Sequence, residues 1–412
     1  MKERLTVLCP TYWYPENAAD MRAIYVHDIT RHLVQRGHRV VVVAPAGEAV
    51  PLEDELDGVE VRRFRLALPE DLAYGKVAQS QVGVRDRVVR MQVMARYLWR
   101  QYRAILACAR GVAVDIVHGH WAIPTGPALV LGGRTLRVPS VITMHGGDVY
   151  VNKAEGYDFP TRWYVRPILR WTLTRASALT AISDDCVQHA LRAGAVPEKI
   201  HLIMNGADLR RFSPGAALPG GERPYGPKMV FACRQLFPRK GIRFLIEAVA
   251  QLRPRHPQIR LVVAGDGFER PQLEALADRL QVRDITTFLG WVSNRELPPY
   301  FRACAVSAIP SLEEGFGIPA AEAMGCEAPV VATDAGGLPE VVEDGVTGFV
   351  VPKGDATALA AALDKLLSDP ALRERMGRAG RERALARFDW MGVAERFELL
   401  YRQLLAAPGT AS

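Results

Sequence analysis

Short apolar runs alternate with amphipathic helical patterns along this chain, and the alternation restarts once after a break. This pattern is typical of parallel sheets whose faces are covered by helices. We therefore predict an α/β fold of two Rossmann-like domains. The predicted strands are residues 5–9, 40–44, 116–118, 140–144 and 179–182 in the first series, and 229–232, 261–264, 305–310 and 329–332 in the second.

The break between the two series is rich in Gly, Pro and Ala and has hardly any apolar periodicity. A chain of 412 residues is also longer than a domain with a single hydrophobic core usually is, because domains commonly contain roughly 100–200 residues. We predict a first domain over residues 1–205, a hinge over 206–227, a second domain over 228–387, and a final helix with its tail over 388–412.

The segment EEGFGIPAAEAMG carries two glutamates, Glu314 and Glu322, eight positions apart. An apolar run precedes it, so the pattern predicts a strand, a glycine-rich loop and a helix. Backbone amides at such a helix start favour a phosphate group. Glu322 would accept hydrogen bonds from ribose hydroxyls, and Glu314 from those of a sugar. Alternatively, both glutamates only cap and solvate the helix start. The residues assigned to the phosphate are Gly315, Phe316, Gly317 and Ile318.

Two cations flank another predicted strand end upstream. Arg234 follows the strand, and Lys240 lies at the predicted start of the next helix, in RQLFPRKG. Their fixed positive charge would neutralise a diphosphate and stabilise it as a leaving group. The alternative is a solvated basic turn.

A histidine and an acid follow the predicted strand 140–144, in the motif His145-Gly-Gly-Asp148. The carboxyl ends of parallel strands are where open sheets bind ligands. His118 and His120 occur in a segment that we interpret as a similar loop after a strand, HGHWAIPTGPA. A structural role for these two histidines is as plausible as a place in a substrate groove.

Taken together, EGFGIPAAEAMG, PVVATDAGGLPEVVEDGVTGFVVPKGD, RQLFPRKG, AISDDCVQHAL and MNGADLRRFSP resemble family 4 of the glycosyltransferases. The resemblance implies the GT-B fold, in which two Rossmann-like domains face one another and the last helix crosses back to the first. It also implies a retaining enzyme that transfers a sugar from a nucleotide-sugar to a hydroxyl acceptor. The first domain would bind the acceptor, and the second the nucleotide-sugar.

The resemblance assigns further roles. His145 matches the family's active-site histidine near the transferred sugar, and Asp148 would help to hold it. Arg234 and Lys240 match the pair that binds the donor diphosphate. Backbone groups would select the base, and we place these at Gly290, Trp291 and Val292.

The chain departs from the family pattern at two places. Many members have a Gly-Gly loop after the first strand, where this chain has PENAAD over residues 15–20. Alanine tolerates neither the positive φ nor the close approach of glycine, so we expect a different acceptor loop, formed by Asn17, Ala18 and Ala19 with His120. Cys233 also replaces a usual glycine before Arg234.

Metal and disulfide signals are weak. The six cysteines are scattered without a C-x-x-C motif and read as reduced thiols. The family commonly works without a divalent ion, and we find no convincing Asp-x-Asp motif. We therefore expect no metal and no cofactor, because the nucleotide-sugar is a co-substrate.

No apolar stretch reaches ~18 residues and the N-terminus does not read as a signal peptide, so we expect a cytoplasmic protein.

The formal net charge of +7 is consistent with an ordinary arginine-rich surface. In a helix over residues 85–103, however, Met91, Met94 and Leu98 would form one apolar stripe with arginines beside it. A basic amphipathic helix of this kind suits an anionic membrane surface. The same stripe would also serve as a core face. We expect no nucleic-acid partner, because no binding motif accompanies the arginines. The basic residues are Arg90, Arg96, Arg100 and Arg103 in this segment, and Arg162, Arg166 and Arg170 beside Trp163 and Trp171 in a second pattern that Pro167 interrupts.

Two chemical routes and several activities remain open. Retention requires either a carboxylate that forms a covalent sugar intermediate or a leaving diphosphate that takes the acceptor proton on the same face. The resemblance favours the second route, with a glycan or a lipid-linked glycan precursor of the cell envelope as acceptor. The alternatives are a sugar-nucleotide epimerase and a non-catalytic nucleotide-sugar-binding subunit. An NAD-dependent oxidoreductase is weaker still, because the third glycine of its fingerprint does not follow Gly265-Asp266-Gly267.

Overall fold

A computed structural model of the protein describes residues 2–17, 20, 22–47, 50–66, 84–150, 163–215 and 225–407, with the backbone alone for residues 84–90. These residues form two compact units by contact. Unit 1 contains the chain up to Met204 and again from Trp390, and unit 2 runs from Asn205 to Asp389.

Unit 1 contains strands β1 to β8 and helices α1 to α5, and it also contains the last helix, α13. The strands are Thr6–Pro10, Arg39–Ala46, Glu53–Leu56, Val59–Arg65, Ile116–His120, Ser140–Met144, Ala178–Ala181 and Ile200–Leu202. The helices are Ile24–Gln35, Val84–Cys108, Gly126–Leu136, Arg166–Arg175, Asp184–Arg192 and, as α13, Trp390–Ala406.

Unit 2 contains strands β9 to β14 and helices α6 to α12. The strands are Lys228–Cys233, Ile259–Ala264, Thr286–Gly290, Val306–Ile309, Val330–Thr333 and Gly348–Val351. The helices are Ile242–Leu252, Arg270–Arg279, Pro298–Ala303, Ile318–Gly325, Leu338–Val341, Ala356–Ser368 and Pro370–Arg387.

The sheet of unit 2 has the strand order β11-β10-β9-β12-β13-β14, and all its pairs are parallel. Counted from β9, this is the doubly wound order of a dinucleotide-binding domain. The order reverses between β9 and β12, which are hydrogen-bonded neighbours. The loops that follow these two strands therefore meet at the carboxyl edge of the sheet.

The sheet of unit 1 has the order β3-β4-β2-β1-β5-β6-β7-β8, and its order reverses between β1 and β5. The central strands are apolar over nearly their whole length, as in Val40 to Val43, because helices cover both faces. Helix α13 packs against α1, and its side chains Trp390, Phe397 and Tyr401 are buried in the core of this unit.

The structure confirms the α/β architecture and corrects several details. An antiparallel strand, β3, pairs with β4 at one edge of the sheet. The pattern missed β3 because it is a short, charged edge strand, and it missed β4, the next strand inward, because charged residues interrupt its sequence VEVRRFR. The pattern also missed β8, β11 and β14 at the ends of the sheets. His118 and His120 lie within β5 rather than in a loop. Lys240 ends a short 3₁₀ turn, and the helix begins at Ile242.

The predicted amphipathic stripe on α2 is shifted. Among the side chains described for this helix, from residue 91 onward, Tyr97, Gln101 and Ile105 are buried. Met91 is exposed, and Met94 and Leu98 are half-buried. The buried face therefore lies to one side of the predicted stripe.

Pro167 lies in the first turn of α4, where proline is tolerated. It therefore marks the start of that helix, and Arg162 lies outside the described residues. The six cysteines are free, and Cys9, Cys186 and Cys326 are buried. Within the described ranges, no helix combines the length and apolarity needed to cross a membrane.

Candidate active site residues

The reversal of strand order in unit 2 brings Arg234, Lys240 and Glu314 together. Arg234 Nη1 lies 2.9 Å from Glu314 Oε2, and Lys240 Nζ lies 3.0 Å from the same oxygen. Ser311, directly beyond β12, donates its hydroxyl to this oxygen at 3.1 Å. One carboxylate oxygen thus receives three donors from two loops.

Burial and charge act in opposite directions on this cluster. Burial on its own raises the pKa of the Glu314 carboxyl, but Arg234 and Lys240 outweigh it and lower the pKa to about 2. Burial lowers the pKa of Lys240, and the carboxylate opposes that shift. Glu314 is therefore ionised at neutral pH, and it partly neutralises the two cations.

Arg234 keeps two donors for another partner. Its side chain is buried, and its Nε and Nη2 atoms have no hydrogen-bond partner among the described residues. A buried guanidinium nitrogen without a partner loses its hydration without compensation. Because Nη1 is fixed on Glu314, the other nitrogens of the planar fork are held in one orientation, suited to a bidentate anion.

Glycines make the close approach of these loops possible. A Cβ on Gly265, which has φ of 139°, would lie 1.7 Å from the carbonyl oxygen of Arg234. A Cβ on Gly241, which has φ of 65°, would lie 2.0 Å from the carbonyl oxygen of Pro310. Both sites combine a left-handed backbone with a neighbouring main chain that cannot move away, so they require glycine.

The helix after Glu314 begins at Ile318, with Gly317 as its N-cap at φ 102°. Because glycine has no side chain, it leaves the first amides of the helix uncapped by the N-cap residue. The Phe316 side chain is buried and packs edge-on against Phe388 at 5.5 Å. Gly315, Gly317 and Ile318 can therefore offer backbone groups to an anion, whereas the Phe316 ring serves the core.

Glu322 lies in the second turn of this helix and is buried. The pKa of the Cys233 thiol is raised to about 12, mainly by burial and to a smaller extent by the negative charge of Glu322. The carboxylate therefore lies near the end of β9, on the same edge of the sheet as Arg234.

The predicted base-binding residues follow β11. The amide of Gly265 donates to the carbonyl of Gly290 at 2.7 Å, which connects this strand end to the loop beside Arg234. Trp291 is 62% exposed and Val292 is half-buried. The three residues lie two strands away from β9 at the same sheet edge.

His145 and His120 form a pair in unit 1. His120 Nδ1 lies 2.9 Å from His145 Nε2. Burial lowers the pKa of His145 to about 3 and that of His120 well below its ordinary value. Both imidazoles are therefore neutral at physiological pH. Sequence reasoning placed both residues near a strand end but did not pair them.

Asp148 contacts the backbone rather than the imidazole. It accepts hydrogen bonds from the amide of His145 at 3.1 Å and from the amide of Ala122 at 2.7 Å. Burial raises the pKa of this carboxyl to about 6 against the effect of those amides. The side chain fixes the two loops that follow β5 and β6.

His118 belongs to the core instead. Its Nδ1 lies 2.5 Å from the hydroxyl of Tyr401 on α13, and its Nε2 lies 2.7 Å from Thr143 Oγ1. The side chain is buried, so it connects α13 to the sheet.

Sequence reasoning missed the aromatic rings around His145. Tyr25 lies 4.6 Å from the His145 ring and Trp121 5.2 Å from it, between ring centroids. Trp13 lies 6.2 Å from Trp121. The signal was present, because TYWYPEN begins two positions after the predicted strand 5–9 and HW begins two positions after the predicted strand 116–118.

The predicted acceptor loop is described in part, since Ala18 and Ala19 lie outside the described residues. The Asp20 amide donates to the carbonyl of Asn17 at 3.1 Å, and Asp20 pairs with Arg22 at 2.8 Å. The described portions of the chain contain no group of His, Cys, Asp and Glu residues that could hold a metal ion.

Comparisons with known proteins agree with this architecture. Residues 23–211 match the family model for glycosyltransferase family 4, and residues 219–383 match the model for glycosyl transferases group 1. The D-inositol 3-phosphate glycosyltransferase of Kribbella flavida is 31% identical over 396 residues, which cover 92% of this chain and 89% of that protein. The glycogen synthase of Mycobacterium tuberculosis is 27% identical over 411 residues, 96% of this chain and 94% of that one.

Among solved structures, Anabaena HepE in complex with UDP superposes with a TM-score of 0.72 at 22% identity, covering 97% of this chain and 100% of that chain. At this identity the likeness concerns the fold. It confirms the prediction of a GT-B fold.

Proposed function

The chain belongs to glycosyltransferase family 4 and is a glycosyltransferase, and we propose that it transfers a hexose from a nucleotide-diphosphate sugar to a hydroxyl group with retention of configuration. The acceptor would be a glycan or a lipid-linked glycan precursor of the cell envelope. The observation that carries the proposal is the cluster of the buried Arg234 with Lys240 and Glu314 at the switch point of unit 2.

The donor diphosphate would bind to Arg234, Lys240 and the backbone from Gly315 to Ile318. Arg234 has two buried nitrogens without a partner in the described part of the chain, and a diphosphate oxygen would satisfy them. The cluster of two cations and one carboxylate has a net positive charge, which favours an anion. HepE, a protein of the same fold, was solved with UDP, which supports a nucleotide at this fold.

The rest of the donor would extend along the same sheet edge. Glu322 would accept hydrogen bonds from the ribose hydroxyls, and backbone groups of Gly290, Trp291 and Val292 would contact the base. Glu314 would fix the hexose through its second carboxylate oxygen while Oε2 stays on the cations. Alternatively, both glutamates only balance the charge of neighbouring groups and contact no ligand.

In the reaction, the bond between the anomeric carbon and the diphosphate oxygen breaks as that carbon bonds to the acceptor oxygen. The acceptor proton passes to the leaving diphosphate on the same face of the sugar. Arg234 and Lys240 stabilise the negative charge that develops on the leaving group. Asp148 and Glu314 are both occupied, with backbone amides and with cations, which favours this route over a covalent intermediate.

His145 would hydrogen-bond a sugar hydroxyl and orient the reacting groups. Burial disfavours protonation of His145. Its neutral imidazole can therefore act as a hydrogen-bond partner of the sugar but not as a positive charge. Asp148 would act by holding the loop of His145. We propose a metal-independent enzyme, because the two cations supply the positive charge that a divalent ion would otherwise bring to the diphosphate.

A lipid-linked acceptor is supported by the exposed basic face of unit 1. Trp99 of α2 is 59% exposed with Arg103 over its ring, and Trp163 before α4 is 78% exposed. Helices α2, α3 and α4 pack side by side, and Asp86 is the one acidic residue in their sequences. Aromatic side chains among arginines suit the headgroup region of an anionic membrane, so we propose peripheral binding at its cytoplasmic face.

The test is the thermal midpoint of the purified protein with UDP, GDP, ADP and their hexose conjugates, with and without EDTA. A ligand that binds the folded state raises the midpoint. We expect one nucleotide series to raise it regardless of EDTA, and Arg234→Ala to abolish the effect. Arg253→Ala is the matched control, because Arg253 is an exposed arginine paired with Asp284 in the same unit.

Each alternative predicts a different result. If no nucleotide raises the midpoint of the wild type, the proposed function is wrong. An epimerase would convert the nucleotide-sugar to an isomer without any acceptor, and a non-catalytic subunit would bind the nucleotide without turnover. The anomeric configuration of the product, measured by NMR coupling constants, would decide whether configuration is retained.

A further inference from the structure

A line of aromatic rings leads away from His145 at the carboxyl edge of the sheet in unit 1. The His145 ring contacts Tyr25 and Trp121, whose own centroids are 6.2 Å apart. Trp13 continues the line in an edge-on contact with Trp121. Strands β1 and β5, which precede Trp13 and Trp121, are hydrogen-bonded neighbours. The rings therefore lie where the strand order of this sheet reverses, a place where α/β sheets bind ligands.

Trp121 has an unusual backbone for a bulky residue. Its φ is 69°, in the left-handed region where a side chain is strained. The Trp121 amide donates to the carbonyl of Thr143 at 2.9 Å, and the next amide, that of Ala122, donates to Asp148. The loop therefore imposes this conformation, and glycine would adopt it without strain. Strain of this kind is concentrated at functional sites, and here it directs a half-buried indole beside the candidate catalytic histidine.

Trp13 is 44% exposed although it is a large apolar side chain. Its carbonyl accepts a hydrogen bond from the Thr11 hydroxyl at 3.0 Å, and its ring contacts Tyr12 at 5.4 Å. The hydrogen bond fixes the backbone of Trp13 and the ring contact helps to orient its indole, whose exposed part can meet a ligand with little further ordering. A preorganised aromatic face binds a ligand at a low entropic cost.

Among the described residues, two cations on segments that adjoin this line are paired with carboxylates. They are Arg22, three residues before Tyr25, and Arg63, which donates to the carbonyl of Pro15. Arg22 pairs with Glu16 and Asp20, each at 2.8 Å, and Arg63 pairs with Asp54 at 3.1 Å. To pair with either of these two cations, a phosphorylated acceptor would have to displace a carboxylate. An uncharged sugar ring has an apolar face of C–H groups that packs on aromatic rings, and hydroxyls at its edge for His145.

We propose that Trp13, Trp121 and Tyr25 bind the ring of an uncharged sugar acceptor, and that Trp13 determines acceptor affinity. The inference rests on the proposed function and specifies its acceptor class. It distinguishes this chain from a relative such as the D-inositol 3-phosphate glycosyltransferase of Kribbella flavida, whose name specifies a phosphorylated substrate.

The experiment measures transfer from the nucleotide-sugar identified by thermal shift to octyl glycosides of glucose, mannose and galactose, and to the corresponding hexose 6-phosphates. Hydrolysis of the donor by water is measured in parallel, because it does not require an acceptor. We expect the octyl glycosides to be the better acceptors. Trp13→Ala should raise the KM for the acceptor about tenfold and leave donor hydrolysis unchanged, whereas Trp13→Phe should restore most of the affinity.

Leu399→Ala is the control for loss of an exposed apolar side chain in the same unit, since Leu399 is 54% exposed. It should change neither KM nor hydrolysis. The inference is overturned if hexose phosphates are preferred, if no octyl glycoside accepts the sugar although the nucleotide binds, or if Trp13→Ala leaves the acceptor KM unchanged. Absence of nucleotide binding would instead overturn the proposed function.

Discussion

His120 and His145 share one hydrogen bond, between Nδ1 of the first and Nε2 of the second at 2.9 Å. The other nitrogen of each ring is buried and has no partner in the described part of the chain. A neutral imidazole carries one N–H, so the ring that donates to its neighbour must present an acceptor at its other nitrogen. The neighbouring ring then carries its N–H on its other nitrogen, so the pair offers a ligand one hydrogen-bond donor and one acceptor.

From this hydrogen bond we expect that His120 fixes the orientation of the His145 ring. His120→Phe should lower kcat about tenfold, because the orientation and tautomer of His145 are no longer fixed. His120→Asn should retain more activity, since its side-chain amide can occupy the place of Nδ1. Steady-state kinetics check this, and the KM for the donor should stay nearly constant in both variants. Equal activities of the two variants would contradict a positioning role.

Acid should destabilise the protein through His145 and His118. Burial lowers the pKa of each to about 3, so below the unfolded value of 6.5 the unfolded state binds more protons and stability falls with pH. Each histidine should cost roughly 1 kcal/mol of unfolding free energy per pH unit in this window. Asp148, with its pKa raised to about 6, opposes the trend below that pH. Urea denaturation at pH 7.5 and 5.5 measures the difference, which should shrink in His145→Gln.

Glu314→Gln should lower the stability of the protein while it strengthens the binding of a nucleoside diphosphate. The variant leaves the buried Arg234 and the half-buried Lys240 without a counter-charge, so we expect a loss of roughly 3 kcal/mol in unfolding free energy. A nucleoside diphosphate should then raise the thermal midpoint by more than in the wild type, while kcat falls because the sugar is no longer fixed. A smaller shift than in the wild type would show that Glu314 contacts the ligand mainly as an acceptor.

Gly265→Ala should disrupt the donor-binding loops. The added Cβ would meet the Arg234 carbonyl at 1.7 Å on a backbone with φ of 139°, and we expect a loss of more than about 2 kcal/mol in stability. Gly392→Ala is the control, because nothing lies within 4 Å of its Cβ. It lies in α13 and should be neutral or stabilising by up to about 1 kcal/mol. Equal midpoints for the two variants would contradict the steric argument.

The basic face should bind anionic vesicles. We expect sedimentation with phosphatidylglycerol vesicles and none with phosphatidylcholine vesicles, and salt should weaken the binding. The double substitution of Arg96→Glu and Arg103→Glu should abolish it. Arg378→Glu is the control at another exposed arginine, on α12 of unit 2. Sedimentation of both variants like the wild type would exclude this face.

The fold and the family could be predicted because their signals are local. Apolar strands such as β6 are buried on both faces and read as continuous runs, and the glycine-rich turn at Gly315 to Gly317 appears directly in the sequence. The edge strand β3 and its inner neighbour β4 carry charged residues that interrupt this signal, so both were missed. The roles of Arg234, Glu322 and the other site residues stay predictions.

The contacts within the sites could not be predicted because they join distant segments. Glu314 meets Lys240 across 74 positions, and the sequence suggested a sugar contact for Glu314 rather than this ion pair. The line of rings from Trp13 to His145 likewise depends on the neighbouring positions of β1 and β5. Only the strand order brings these residues together.

Helix α13 also bears on how the protein is made. Its buried Trp390, Phe397 and Tyr401 complete the core of unit 1, yet the ribosome reaches them only after all of unit 2. At roughly 5–20 residues per second, that delay is about 10–40 s. During this time the apolar surface of α1 lacks the helix that covers it, so nascent unit 1 exposes a surface of the kind that chaperones bind until the last helix emerges.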